Sequence, residues 1–227
     1  MKRILVIAAH PDDEILGCGG AIARFATTSC EVHIMILAEG LTSRDHARNR
    51  EKRATELTTL AQTAKQAGEL AGAARVELLD FPDNRMDSLD LLDVVKPIER
   101  KIVDFSPDTI FTHCSSDLNI DHRITSQAVI TASRPYPGQS VKNVLFFEVP
   151  SSTEWQFGAP AFTPNFFIPL SEDELEKKLA ALKIYEGEMR PFPHARSLEA
   201  VQALARWRGA SIGAAAAEGF ISVRTIL

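Results

Sequence analysis

With 227 residues, 45% of them hydrophobic, the chain is long enough for one α/β domain of ordinary size with a proper core. A net charge of −5 with no Lys/Arg block argues against nucleic acid as a partner, because neutralising phosphates needs clustered positive charge. No apolar run approaches the ~20 residues that span a bilayer, and three cysteines without a C-x-x-C fit a reducing cytoplasm rather than a disulfide framework.

Lys2 and Arg3 precede the apolar run Ile4-Leu5-Val6-Ile7-Ala8. That run is too short for a secretion signal and is followed by charges. Its β-branched content predicts a buried strand. At its end stand Ala9-His10-Pro11-Asp12-Asp13-Glu14, then Gly17, Gly19 and Gly20, then a helix predicted over 21–25. A strand-to-helix turn is where α/β folds gather ligand-binding groups. Three consecutive acids repel one another, and a cation relieves that repulsion. Glu14 reads as a first-turn acid favoured by the helix dipole. The glycines lack the spacing of a nucleotide loop and read as sites of close helix packing.

Residues 31–38 predict a second strand, followed by a polar loop over 39–45 that can fold over a pocket. The Ala/Lys/Glu/Gln-rich stretch 45–70 predicts a helix stopped at Gly72. Residues 75–80 predict a third strand, and the turn that leaves it carries Asn84 and Arg85. A helix over 89–105 is expected to kink or break at Pro97. The fourth strand, 108–112, runs into His113-Cys114-Ser115-Ser116-Asp117-Leu118-Asn119-Ile120-Asp121-His122, so ligand-type residues again start where a strand ends. A helix over 121–133 and a fifth strand over 141–149 follow. This alternation predicts an α/β fold with a mostly parallel sheet whose strand ends share one edge. On that edge residues 10–14 come within reach of residue 122.

Beyond residue 150 the pattern loosens. Residues 150–164 read as irregular, with Trp155 and Phe157 hinting at a contact in a homo-oligomer. Residues 165–170 predict a short strand, and Ser171-Glu172-Asp173-Glu174 is a capping box opening a helix to about 185. A proline-fixed loop, 191–194, a helix over 197–217 and a strand-like segment, 219–227, complete the chain. One domain over 1–227 is expected, with a regular core in 1–149 and a less regular 150–227 completing the pocket. The G-x-S-x-G match at Gly209-Ala210-Ser211-Ile212-Gly213 lies in a helical stretch without the strand that a nucleophile elbow requires.

The two polar clusters together predict a single divalent metal, zinc or another ion of that class, held by His10, Asp13 and His122. Three protein ligands and an open position are the pattern of a catalytic zinc site. His113 is the rival ligand but reads as a strand-end histidine. Cys114 reads as a small half-buried residue, and Asp117 as a loop-stabilising acid. Asp121 is placed to orient a neighbouring imidazole. Asp12, beside a ligand yet free of the metal, is the candidate general base.

The His10-Pro11-Asp12-Asp13-Glu14 stretch, the Asp117-x-Asn119-x-Asp121-His122 cluster and Pro193-His194-Ala195-Arg196-Ser197 resemble the PIG-L/LmbE-like family across nearly the whole chain. The resemblance implies a Rossmann-like three-layer sandwich and a zinc-dependent de-N-acetylase acting on a small N-acetyl sugar or its conjugate. It carries the metal ligands onto His10, Asp13 and His122 and the base onto Asp12. Many relatives have an oxyanion-stabilising histidine where this chain has Asn119. His194 is therefore the candidate proton donor or oxyanion partner. Arg44, Asn84 and Arg85, on loops predicted to face the pocket, are candidate contacts for sugar hydroxyls or a phosphate. A second reading keeps the metal and makes the protein a hydratase of an unsaturated carboxylic acid.

Overall fold

The computed structural model describes residues 1–158 and 160–226. In its first half, strands β1 (Arg3–Ala8), β2 (Glu31–Ala38), β3 (Arg75–Phe81), β4 (Thr109–His113) and β5 (Asn143–Phe147) alternate with helices α1 (Asp13–Ala26), α2 (Ala54–Ala71), α3 (Leu91–Phe105) and α4 (Ile120–Ala132). These five strands pair in parallel. Strands β6 (Phe166–Leu170) and β7 (Ala216–Thr225), with helices α5 (Glu172–Ile184) and α6 (Leu198–Ala210), complete the fold. The sheet order is β3-β2-β1-β4-β5-β7-β6. The segment after residue 150 therefore extends the sheet, with β7 antiparallel to both β5 and β6.

Side-chain alternation along β1 divides the core in two. Ile4, Val6 and Ala8 join the cluster formed with α1, α2, α5 and α6, whereas Leu5 and Ile7 join the cluster formed with α3 and α4. Helices cover both faces, giving the three-layer α/β sandwich that the resemblance implied around the mostly parallel sheet expected from the strand–helix alternation. In the order 3-2-1-4-5, β1 lies between β2 and β4, so successive strands are added in one direction up to β3 and in the other from β4, with the switch at the parallel β1/β4 boundary. The crevice beyond the strand ends at such a boundary is the standard ligand position.

Several boundaries differ from the sequence expectations. Residues 45–53 form turns and a bend, and α2 begins only at Ala54. It ends at Gly72, which adopts φ 103° as the expected stop. Helix α3 continues through Pro97. Helix α6 ends at Ala210, and β7 starts at Ala216 rather than after residue 218. Ser211 lies at the end of α6 with its hydroxyl donating to Arg208 O at 2.7 Å, and no strand precedes it.

Helix α1 starts at Asp13, so the glycines lie inside it. A β-carbon on Gly17 would stand 2.3 Å from Phe147 Cδ2, and one on Gly20 would stand 2.4 Å from Leu170 Cδ1. The helix is broken at Cys18, with φ −149° and ψ 25°. An unbroken helix would pair Gly20 N–H with Leu16 O. Instead Leu16 O accepts from Lys178 Nζ at 2.8 Å, and Gly20 N–H donates to Glu218 Oε1 at 2.9 Å. Glu218 also accepts from Ala21 N–H at 2.7 Å and from Lys178 Nζ at 2.6 Å. A buried ion pair from α5 and β7 thus bridges the break.

Candidate metal centre

The turn between β1 and α1 brings the first group of site residues. Asp12 precedes the helix with φ 105°, a left-handed conformation that costs a non-glycine residue energy and must be held by its surroundings. Glu14 holds it. One carboxylate oxygen of Glu14 accepts Asp12 N–H at 3.1 Å and the other accepts Tyr185 O–H at 2.6 Å. Burial pushes the Glu14 carboxyl up to about 7 despite the Tyr185 hydrogen bond. The role of Glu14 is this bracket, more specific than a helix-dipole acid.

His10, Asp13 and His122 converge. Asp13 Oδ2 lies 3.2 Å from His10 Nδ1 and 3.2 Å from His122 Nε2. In a tetrahedral site with ligand bonds near 2.0 Å, donor atoms stand roughly 3.3 Å apart. Both ring nitrogens of His122 are buried, and neither makes a well-formed hydrogen bond among the described residues. Two imidazoles and a carboxylate at this spacing, with such a nitrogen facing inward, fit a divalent cation. Burial would lower the His122 pKa, but the Asp13 charge outweighs it and carries the imidazole up to about 9. Burial likewise raises Asp13, but the charge of His122 and the hydrogen bond to His10 hold it well below the usual carboxylate range.

Supporting carboxylates stand behind the two imidazoles. His10 Nε2 lies 3.0 Å from Asp121 Oδ2 and 3.4 Å from Asp83 Oδ1. Asp121 is fixed in turn by Asn84 N–H at 2.6 Å and Met86 N–H at 2.9 Å. A carboxylate on the far nitrogen sets ring orientation and leaves Nδ1 for a metal. Behind His122, Asp117 Oδ1 stands 3.1 Å from Nδ1. Asp117 also accepts the hydroxyls of Ser152 and Thr153, so it ties the 151–153 turn to the site. His113 Nε2 accepts Ala9 N–H at 2.8 Å, which occupies that nitrogen, and its ring stacks on His122 at 3.9 Å. Cys114 is buried beside Ser116 and belongs neither to the His10, Asp13 and His122 group nor to the His10, Asp83 and Asp121 group, whose donor atoms also lie close enough together to hold an ion.

A polar cavity of about 570 Å³ opens over this cluster. Of the expected substrate contacts, Arg44 and Asn84 line it, but Arg85 does not and donates to His46 O and Asp45 O. Arg44 is held across the cavity by Glu188 Oε1 at 2.7 Å and Oε2 at 2.9 Å. Asn119 lines it too, but both ends of its amide are engaged: Oδ1 caps α4 through Asp121 N–H and Nδ2 donates to Asn84 Oδ1.

His194 lies outside the cavity, exposed, with Nδ1 accepting Arg196 N–H at 3.0 Å. The structure departs here from the expectation of a proton donor at His194. The loop presents Arg196 instead, whose Nη1 lies 3.1 Å from Asp12 Oδ2. The turn into α6 decides this, because His194 is spent on stabilising that turn. Burial and the Asp13 charge push the Asp12 carboxyl well up, opposed by Arg196. Sequence reasoning passed over Arg196, although it stood within a quoted motif. Asp83, on the turn after a strand, carried the same positional signal as His10. Glu188, Ser151 and Ser152 carried none.

A model of the PIG-L family, described as GlcNAc-PI de-N-acetylase, matches residues 5–133. The uncharacterized deacetylase YaiS of Escherichia coli K12 is 29% identical over 191 residues, covering 82% of this chain and 91% of its own. The diacetylchitobiose deacetylase of Thermococcus kodakarensis is 25% identical over 199 residues, covering 83% of this chain and 70% of its own. Among solved structures, the 4-carboxy-2-hydroxymuconate hydratase of Pseudomonas putida superposes with a TM-score of 0.80 at 22% identity, over 100% of this chain and 98% of that one.

Proposed function

Because the chain belongs to the PIG-L family, we propose that it is a metal-dependent hydrolase removing the acetyl group from an N-acetylated amino sugar or its conjugate. The observation that carries this reading is the spare carboxylate Asp12 beside the His10, Asp13 and His122 donor set, within one cavity. Binding alone needs no such group.

His10, Asp13 and His122 would hold the cation, with zinc as the proposed ion. When bound, it would supply Lewis acidity that polarises a carbonyl and makes water more acidic. Asp12 takes the proton of the attacking water as the new C–O bond forms at the acetamide carbon. It then returns that proton to the nitrogen as the C–N bond breaks, so that acetate and a free amine leave. Asp121 and Asp83 orient His10, and Asp117 orients His122. Arg44 and Asn84 are the proposed substrate contacts of the cavity wall.

The hydratase reading shares the fold, so fold alone does not separate the two; the family match favours the amide. Asp12→Asn is the test: the variant should keep its metal and lose most turnover of N-acetylglucosamine conjugates, read as released amine. Full activity in that variant would require another base. Water addition to an enoate, without amine release from any N-acetyl sugar, would favour the hydratase.

No helix among the described residues is long and apolar enough to cross a membrane. Free Cys18, Cys30 and Cys114 support a reducing compartment, the cytoplasm in this reading. A homo-oligomer is also part of it, with exposed Trp155 and Phe157 as the proposed contact.

A further inference from the structure

Attack on an acetamide turns a neutral carbonyl oxygen into an anion, and hydrogen-bond donors fixed beforehand where that charge appears lower the barrier. Several donors line the cavity. Asn119 has both ends of its amide engaged, and Arg44, held by Glu188 through Nη2, is 45% exposed, in solvent that screens its charge. Arg190 is exposed, and its Nη1 donates to the backbone oxygens of Gly187 and Met189.

Arg196 is different. Its side chain is only 28% exposed, and Nη1 alone is engaged, on Asp12 Oδ2. Its Nε is buried and has no hydrogen-bond partner among the described residues. An unpaired buried donor is costly and calls for an explanation, a catalytic role among them. The backbone around it is fixed: Arg196 N–H donates to His194 Nδ1, Arg196 O accepts Arg190 N–H at 3.3 Å, and Ser197 caps α6.

We propose that Arg196 is a further catalytic residue of the deacetylation assigned above, donating from its guanidinium to the acyl oxygen as that oxygen becomes anionic. The inference rests on the deacetylase reading. It follows from a shared neighbour. The water that Asp12 deprotonates must touch both that carboxylate and the acyl carbon, which brings the acyl oxygen to the same end of the cavity as the guanidinium. Arginine suits the task because it stays charged and offers several donors in one plane.

The experiment uses zinc-loaded protein and two probes measured by calorimetry. One is N-acetylglucosamine, with its planar acetamide; the other is the methylphosphonamidate of glucosamine, whose tetrahedral oxygens copy the developing anion. Arg196→Ala should weaken phosphonamidate binding by about 100-fold, the usual scale for one lost oxyanion donor. Binding of N-acetylglucosamine should change by less than about threefold, because the planar ground state carries no such charge. In the same variant kcat should fall with little change in KM, and added guanidinium chloride should restore part of it. Arg196→Lys, which keeps a charge at the site, should lose less than Arg196→Ala on the phosphonamidate. Equal weakening of both probes, or of neither, overturns the role of Arg196 and leaves the deacetylase reading standing. Wild-type protein that binds neither probe and releases no amine overturns both.

Discussion

Replacing Glu218 by Gln changes the charge but hardly the shape of a group that joins three parts of the chain. Glu218 is 5% exposed and accepts from Lys178 Nζ, Gly20 N–H and Ala21 N–H. The amide oxygen of Gln can accept only part of that set, and the Lys178 ammonium would be left buried with Leu16 O as its acceptor. Removing one partner of a buried pair costs about 3–5 kcal/mol, because the other charge stays desolvated. At about 2–4 °C per kcal/mol for a chain of this size, Tm should fall by roughly 6–20 °C. Lys178→Met should cost a similar amount by leaving the carboxylate alone with two N–H donors. The double variant removes both charges. It should therefore be more stable than the sum of the single losses predicts, by about 2 kcal/mol or more. Urea unfolding of the four proteins measures this cycle. A loss below about 1 kcal/mol for Glu218→Gln, or single losses that simply add, would refute the claim that the pair bridges the break in α1.

Wild-type protein should purify with a divalent ion and His122→Ala without it, and elemental analysis showing the same content in both would count against the His10, Asp13 and His122 donor set. Gly17→Ala should cost about 1–3 kcal/mol, because its β-carbon would fall 2.3 Å from the Phe147 ring. Gly187→Ala, where nothing lies within 4 Å, should be nearly neutral in the same melts. Asp108 accepts Lys2 N–H at 2.6 Å and Arg3 N–H at 3.2 Å, joining β1 to the start of β4. Burial raises its pKa, but the Thr109 hydroxyl and these two N–H groups outweigh burial and leave it below the ordinary value. A depressed carboxyl stabilises the fold above its unfolded pKa near ~3.9 and ceases to do so as pH falls through its folded value. Wild-type protein should therefore exceed Asp108→Asn in stability at pH 6 by more than at pH 3, and an equal gap at both would refute the assignment.

Much of this protein is written locally. Short apolar runs marked β1 to β5, Gly72 marked the end of α2, and Ser171 with Glu174 marked the start of α5. In each case the signal is side-chain periodicity or turn chemistry within a few residues. The meeting of residues 10–14 with residue 122 was also legible, because parallel strands with short connections leave their ends along one edge. Like charge crowded on a turn is costly without a cation, and that marks His10, Asp12 and Asp13 within the sequence.

The tertiary structure decided what depends on closure of the whole chain. Asp12 meets Arg196, Glu14 meets Tyr185, and Lys178 meets Glu218, each across a separation that no local pattern spans. The choice between His194 and Arg196, two residues apart on one loop, turned on the turn before α6, where the His194 imidazole accepts Arg196 N–H and the Arg196 side chain is left to face Asp12. The sequence therefore determined the strands, the turn and the ligand types, because each follows from chemistry within one or two turns of backbone. Which cation faces Asp12, and what mends the break at Cys18, could be settled only by packing, because a buried charge takes whichever partner the folded chain brings to it.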